Sequence, residues 1–283
     1  KPPRKRGFCV VQKLGAIIHK TFLCIGIHKK VLCIILMYSY LQHKMMFLPI
    51  YIRKSYVLGC TLTMERYLTF APGEYYHVYN RGVEKRDIFK ENGHYERFMK
   101  LIYAANGDKP YIFREIERLP LGSIERGKPL CAIGAYVLMP NHFHILIKEI
   151  VNGGISMFMS KLCTGYSLYF NKKEHRVGPL FQSNFKARHA RRDEYLKYLF
   201  AYIHLNPVKI IDPEWKENGI TDPEKARKYL ESYRYSSYSE FTGRKRDEAA
   251  ILTRAEFPGY FRSTIEFRDL LDEWMHSREE EIT

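Results

Sequence analysis

The sequence predicts an α+β domain in which helices pack on an antiparallel sheet. Three observations carry that expectation. Runs rich in aromatic and branched residues alternate with longer stretches of helical period. Their order is β, α, β, β, α, β, α, with one adjacent pair of strands joined by a short turn, the mark of an antiparallel hairpin. The 283 residues are 46% hydrophobic and 14% aromatic, enough to bury a real core.

The segment 73–82 (GEYYHVYNRG) is aromatic, β-prone and closed by glycine, and reads as the first strand. Residues 92–105 place Tyr95, Phe98, Leu101 and Ile102 at helical spacing. Residues 106–130 are polar, with Gly and Pro, and read as a loop insertion. Residues 131–138 (CAIGAYVL) read as a buried strand, Met139-Pro140-Asn141 as a turn, and residues 142–148 (HFHILIK) as its hairpin partner. A helix is expected over Ile155–Asn171, ended by the turn Gly178-Pro179, and a strand over Leu180–Ala187. Asp193–Asn206 reads as a helix that Asp193 can cap, with Leu196, Leu199, Phe200 and Ile203 on one stripe and Pro207 at its end. Residues 232–241 are tyrosine-rich, and 264–282 read as a polar C-terminal helix.

Composition divides the chain unevenly. The net charge of +15 suggests an anionic partner such as nucleic acid or an acidic membrane surface. Residues 1–63, however, carry 11 Lys/Arg and no acid, leaving 35 basic and 31 acidic residues for the rest. The excess charge is thus weak evidence for the folded part. In that first segment Val31–Leu41 is the best apolar run, about half of the roughly 20 residues that cross a bilayer. Residues 1–63 are expected to be upstream sequence read through into the protein. A basic nucleic-acid arm and a membrane-surface anchor are the alternatives. Four of the six cysteines lie there, and no C-x-x-C pair occurs, which argues against a thiolate zinc site. Cys131 and Cys163 alone fit a reduced, cytoplasmic protein.

His142 and His144 carry the chemistry. Two residues apart on a strand, they point to one face with roughly 7 Å of backbone between them. Two imidazoles so placed can converge on one divalent ion. Phe143, Ile145 and Ile147 take the opposite, packing face. Alone, the pair also fits two half-exposed strand histidines. Tyr202 and Asn206 lie four apart and share a helix face if the last turn stays helical. A phenol with metal assistance can attack a phosphodiester and store the bond as an ester, and Asn206 offers a neutral oxygen to a metal. The plainer alternatives are a helix-face aromatic and a C-terminal cap. Lys172, Lys173, His175 and Arg176 follow one helix, and Lys186, Arg188, His189, Arg191 and Arg192 precede the next. They can hold phosphates or simply be solvated helix ends. Tyr166 and Tyr169 can stack on bases or pack in the core.

Four ordered blocks resemble a known family: residues 76–89 (YHVYNRGVEKRDIF), 135–147 (AYVLMPNHFHILI), 169–186 (YFNKKEHRVGPLFQSNFK) and 202–209 (YIHLNPVK). They are similar to the single-tyrosine HUH transposases, above all the group associated with repetitive extragenic palindromes. The likeness covers roughly residues 67–242, giving an expected transposase domain at 64–242 and a partly helical tail at 243–283. It implies a ferredoxin-like (RRM-like) fold and a divalent metal, Mg²⁺ or Mn²⁺, held by His142, His144 and Asn206. It implies that Tyr202 attacks single-stranded DNA beside a hairpin, forming a 5′-phosphotyrosine and releasing a 3′-OH that a second strand's 3′-OH can replace. Tyr198, one turn earlier, is the competing nucleophile. Relatives act as monomers or homodimers, without a membrane. A domesticated palindrome-binding protein that does not cut, and a phosphoesterase with no covalent step, are the other readings.

Overall fold

Side-chain alternation along the strands builds the centre of the molecule. The computed structural model describes residues 69–261 and 263–276. The expectations for residues 1–63 lie outside them. Among the described residues four strands form one sheet: β1 (Tyr75–Arg81), β2 (Cys131–Met139), β3 (His142–Glu149) and β4 (Lys186–His189). Their order is β2-β3-β1-β4, and every neighbouring pair is antiparallel. Helix α1 (Asn92–Ala105) leads from β1 to β2, and helix α2 (Gly154–Lys173) from β3 to β4. This is the split βαβ arrangement of the ferredoxin-like fold, so the expected α+β class holds.

Each face of the sheet has its own core. Tyr76 and Val78 of β1, Ile133, Tyr136 and Leu138 of β2, and Phe143, Ile145 and Ile147 of β3 pack with α1 and α2. Ala135 and Val137 of β2 and Leu146 of β3 turn the other way. The β2 register shifts between Ile133 and Ala135, a bulge at Gly134 that moves the next side chains to the opposite face. Helix α3 (Asp193–Leu205) covers that second face, with α4 (Pro223–Ser232) and α5 (Thr264–His276) behind it. Phe257, Phe267, Leu270, Leu271 and Met275 are all buried in this layer.

Three sequence expectations are corrected. The fourth strand forms at Lys186–His189 rather than Leu180–Ala187, because Leu180, Phe181 and Phe185 fill the core from irregular backbone. Asp193 does not cap α3: the N-cap is Arg192, without a side-chain bond, and Asp193 instead accepts from the Tyr260 hydroxyl. The 106–130 segment is more than an open loop. It holds short helical turns at Phe113–Ile116 and Leu121–Ser123 and buries Ile116, Leu121 and Ile124. Asn106 pins it to β2, accepting from Leu130 N and Cys131 N at 3.0 Å each and donating to Cys131 O at 2.8 Å. After α3 the backbone tightens into a 3₁₀ turn, Asn206–Ile210, with Pro207 near its start. Pro207 therefore ends the α geometry without ending the helical path.

Candidate active site

The site lies between the second face of the sheet and α3. β3 alternation sends His142 and His144 to that face, and the β1–β3 register sets Tyr79 opposite His144. The imidazole centroids of His142 and His144 are 5.0 Å apart, with the rings perpendicular. Tyr202, on α3, meets His144 edge to face at 5.5 Å. Asn206, one turn later and almost fully buried, lines the same cavity of about 320 Å³ with the two histidines, Tyr202 and Lys186. The structure thus brings all four sequence-derived centre residues together. Tyr198 is not among the lining residues; its ring rests against Trp274 at 4.8 Å.

Burial fixes the chemistry of these groups. Desolvation first, then the charges of Arg81, Lys209 and Lys216, pushes His142 down to about 4. Desolvation, aided by His77, His142 and Lys216, holds His144 well below the usual imidazole range. Both rings are therefore neutral at physiological pH, the form that ligates metals. His142 Nδ1–H donates to Asn141 Oδ1 at 2.6 Å, and His144 Nδ1 shares a 2.7 Å hydrogen bond with His77 Nε2. His142 Nε2 is thereby left for a ligand, and on His144 Nε2 is the ring nitrogen outside the bond to His77. Asn206 Nδ2 donates to Tyr202 O at 2.8 Å, which leaves its amide oxygen as the atom that could ligate. Among the described residues no group of three or more His, Cys, Asp and Glu is placed to hold a metal. Two imidazole nitrogens and the Asn206 amide oxygen, a set outside that class, nevertheless fit a divalent cation.

Sequence reading missed four neighbours. His77 reaches the centre from β1, within 4.9 Å of the His144 ring and 5.7 Å of the Tyr202 ring. Arg81, Lys209 and Lys216 line the cavity, and the Lys216 ammonium lies 4.0 Å from the Tyr202 ring centroid. Strand parity along 73–82 puts His77, Tyr79 and Arg81 on one face, the single local signal that could have found two of them.

The other sequence-derived basic residues divide. Lys186 lines the cavity, and Arg188, next on the same face of β4, pairs in register with His77. Arg191 donates to His189 Nδ1 at 3.0 Å, and Arg192 opens α3. Lys172, Lys173 and Arg176 do not line the cavity. Lys173 pairs with Glu91, and Arg176 donates to Asn171 Oδ1 at 2.7 Å. Tyr166 is fully buried and donates to Ile88 O, a packing role. A larger cleft of about 470 Å³ lies beside α1, lined by Arg97 and Lys100 but also Glu96, Glu117, Asp247 and Glu248. Its charges offset one another and it contains no imidazole, so the smaller cavity is the candidate site.

No protein-family model matches the chain, and no curated protein sequence does. Among solved structures, a REP-associated tyrosine transposase bound to a REP hairpin is similar at 13% identity and a TM-score of 0.40, over 65% of this chain and 89% of that one. The tRNA(His) guanylyltransferase of Saccharomyces cerevisiae is similar at 11% identity and a TM-score of 0.27, over 78% of this chain and 85% of that one. Likenesses this distant carry no argument about function. Among the described residues no helix is long and apolar enough to cross a membrane.

Proposed function

We propose that the chain is a metal-dependent enzyme that nicks and rejoins single-stranded DNA beside hairpins, a single-tyrosine HUH transposase of the palindrome-associated kind. The observation that carries this reading is the convergence of Tyr202, His142, His144 and Asn206 on one cavity. The sequence blocks that contain these residues are those that resemble the family.

His142 Nε2, His144 Nε2 and the Asn206 amide oxygen would hold Mg²⁺ or Mn²⁺. Once bound, the ion would polarise the scissile phosphate and offset its charge. The Tyr202 oxygen attacks phosphorus and its proton passes to solvent. The bond from phosphorus to the 3′ oxygen breaks, that oxygen gains a proton, and a 5′-phosphotyrosine remains. A 3′-OH from a second strand reverses the step and frees the phenol. Little free energy is lost, because one phosphate ester replaces another. Arg81, Lys209 and Lys216 would neutralise phosphates at the cavity. Lys186, Arg188, Arg191 and Arg192 would carry the strand along β4 to the start of α3, while Lys172, Lys173 and Arg176 would contact the hairpin from the end of α2. The working form would be a monomer or a homodimer acting in the bacterial cytoplasm at the nucleoid.

The test is incubation of the full chain with a hairpin-bearing single-stranded oligonucleotide and Mn²⁺, read on a denaturing gel. A covalent protein–DNA band is expected, absent in Tyr202→Phe and retained in Tyr198→Phe. An adduct that survives in Tyr202→Phe would sink the nucleophile assignment. Hairpin binding without cleavage would point to a domesticated DNA-binding protein. Cleavage without an adduct would point to a phosphoesterase.

A further inference from the structure

We propose that His77 is a positioning residue for the metal site, accepting a hydrogen bond from His144 Nδ1–H and so keeping His144 Nε2 unprotonated. The inference rests on the metal-dependent reading above and adds a residue to it.

A neutral imidazole carries one N–H, and its other nitrogen carries the lone pair a metal needs. The 2.7 Å contact between His77 Nε2 and His144 Nδ1 holds one proton, which either ring can donate. If His77 donates, the proton of His144 must sit on Nε2 and the ring cannot ligate. If His144 donates, Nε2 is free. His77 is therefore a selector between two forms of His144, of which one is competent. Ligating histidines as a rule donate their second N–H to such a partner, which fixes both tautomer and ring orientation.

Geometry supports a device rather than a chance contact. Both rings are buried, at 6% and 7% exposure, so water does not readily replace the bond. Their centroids are 4.9 Å apart with planes 25° apart, so the two rings meet edge to edge and nearly coplanar, the alignment an in-plane hydrogen bond between ring nitrogens requires. The other two ligand positions are set in the same manner. The Asn141 amide donates to Lys85 O at 3.1 Å, which turns its oxygen toward His142 Nδ1–H. Asn206 is turned by its bond to Tyr202 O. Asn141 sits next to His142 in sequence, whereas His77 is supplied from 67 residues away by β1, whose pairing with β3 puts it diagonal to His144.

The experiment compares the full chain with His77→Phe, which removes the acceptor but keeps a ring, and His77→Gln, whose amide oxygen can accept. ¹⁵N-histidine correlation spectra of the metal-free proteins report the tautomer of His144. Mn²⁺ titrations by electron paramagnetic resonance report affinity. Wild type and His77→Gln are expected to show His144 protonated at Nδ1. His77→Phe is expected to lose that preference and to bind Mn²⁺ about 10–100-fold more weakly. A wild-type His144 protonated at Nε2 would overturn the proposal, even if His77→Phe fails to fold. So would a folded His77→Phe protein with unchanged Mn²⁺ affinity. A wild type that shows the expected tautomer but binds no Mn²⁺ would support the role of His77 in setting the ring and overturn the metal reading alone.

Discussion

At the scale of single residues, the site depends on side chains that each make two commitments. Asn206 is the clearest case, since its nitrogen is bound to Tyr202 O at 2.8 Å while its oxygen is left for a ligand. Asn206→Ala removes both. Tyr202 O keeps its bond from the Asn206 backbone N–H, so losing the side-chain donor costs only about 1 kcal/mol. Denaturant unfolding should register that cost, and Mn²⁺ affinity should fall at least about tenfold. Asn206→Asp keeps an oxygen ligand and should retain Mn²⁺ binding despite losing the amide donor. Equal affinities for the Ala and Asp variants would exclude Asn206 as a ligand. Its place beside Tyr202 was legible because it lies four positions later on the same helix face, while its choice as a ligand came only from the family resemblance. His77 was not, because its role exists only once β1 pairs with β3. Lys216 was equally hidden: it reaches the Tyr202 ring from a short helix, Trp215–Asn218, whose packing no local period announces.

Elements were legible where burial imposes a period. α1 forms over the residues its apolar spacing marks, and β3 buries the three residues that alternate with its polar pair. β4 was misplaced because an edge strand pairs on one side only and shows solvent-facing Lys186 and Arg188, whereas the apolar run before it makes a single bridge, Phe181 to Gly82, and otherwise packs from irregular backbone. One junction combines strand and helix in a single side chain. Glu149 ends β3, is fully buried, and accepts from Gly153 N at 2.7 Å and Ile155 N at 2.8 Å at the start of α2. Its carboxylate satisfies donors that no carbonyl of the helix reaches and lies at the positive end of the helix dipole. Glu149→Ala strands the buried Ile155 N–H and the half-buried Gly153 N–H and should destabilise the fold by about 2–3 kcal/mol. Glu149→Gln keeps an acceptor and should lose less. Urea unfolding of the two variants provides the check, and equal stability of Glu149→Ala and wild type would remove Glu149 from this role.

For the molecule as a whole, the candidate site rests on a layer that lies largely outside the four sequence blocks. Phe200 and His204 of α3 pack on Phe241, Phe257 and Phe267, and the Phe257 ring occupies the space a Cβ at Gly134 would need, at 2.7 Å. Ending the chain after Thr242 exposes this face of α3 and should abolish cooperative unfolding. A shortened chain that melts like the full one would refute that dependence. The same layer carries an acid sensitivity. Burial pushes His77 and His204 down to about 3 and His142 to about 4, and His144 well below the ordinary imidazole range. His204 is fully buried, donating from Nδ1 to Phe200 O and accepting at Nε2 from the Ser237 hydroxyl. Because these values lie below that of an unfolded histidine, about 6.5, the unfolded chain binds more protons as pH falls. The stabilisation is complete above about pH 6.5 and is lost progressively toward pH 3–4, at up to about 1.4 kcal/mol per pH unit for each histidine. Urea midpoints measured in chelator between pH 7.5 and 5 should therefore fall steeply, and less steeply in His204→Gln. A flat profile over that range would mean that the buried imidazoles are already protonated in the fold or already neutral in the unfolded chain. The first contradicts their hydrogen bonding, and the second contradicts the ordinary titration of histidine.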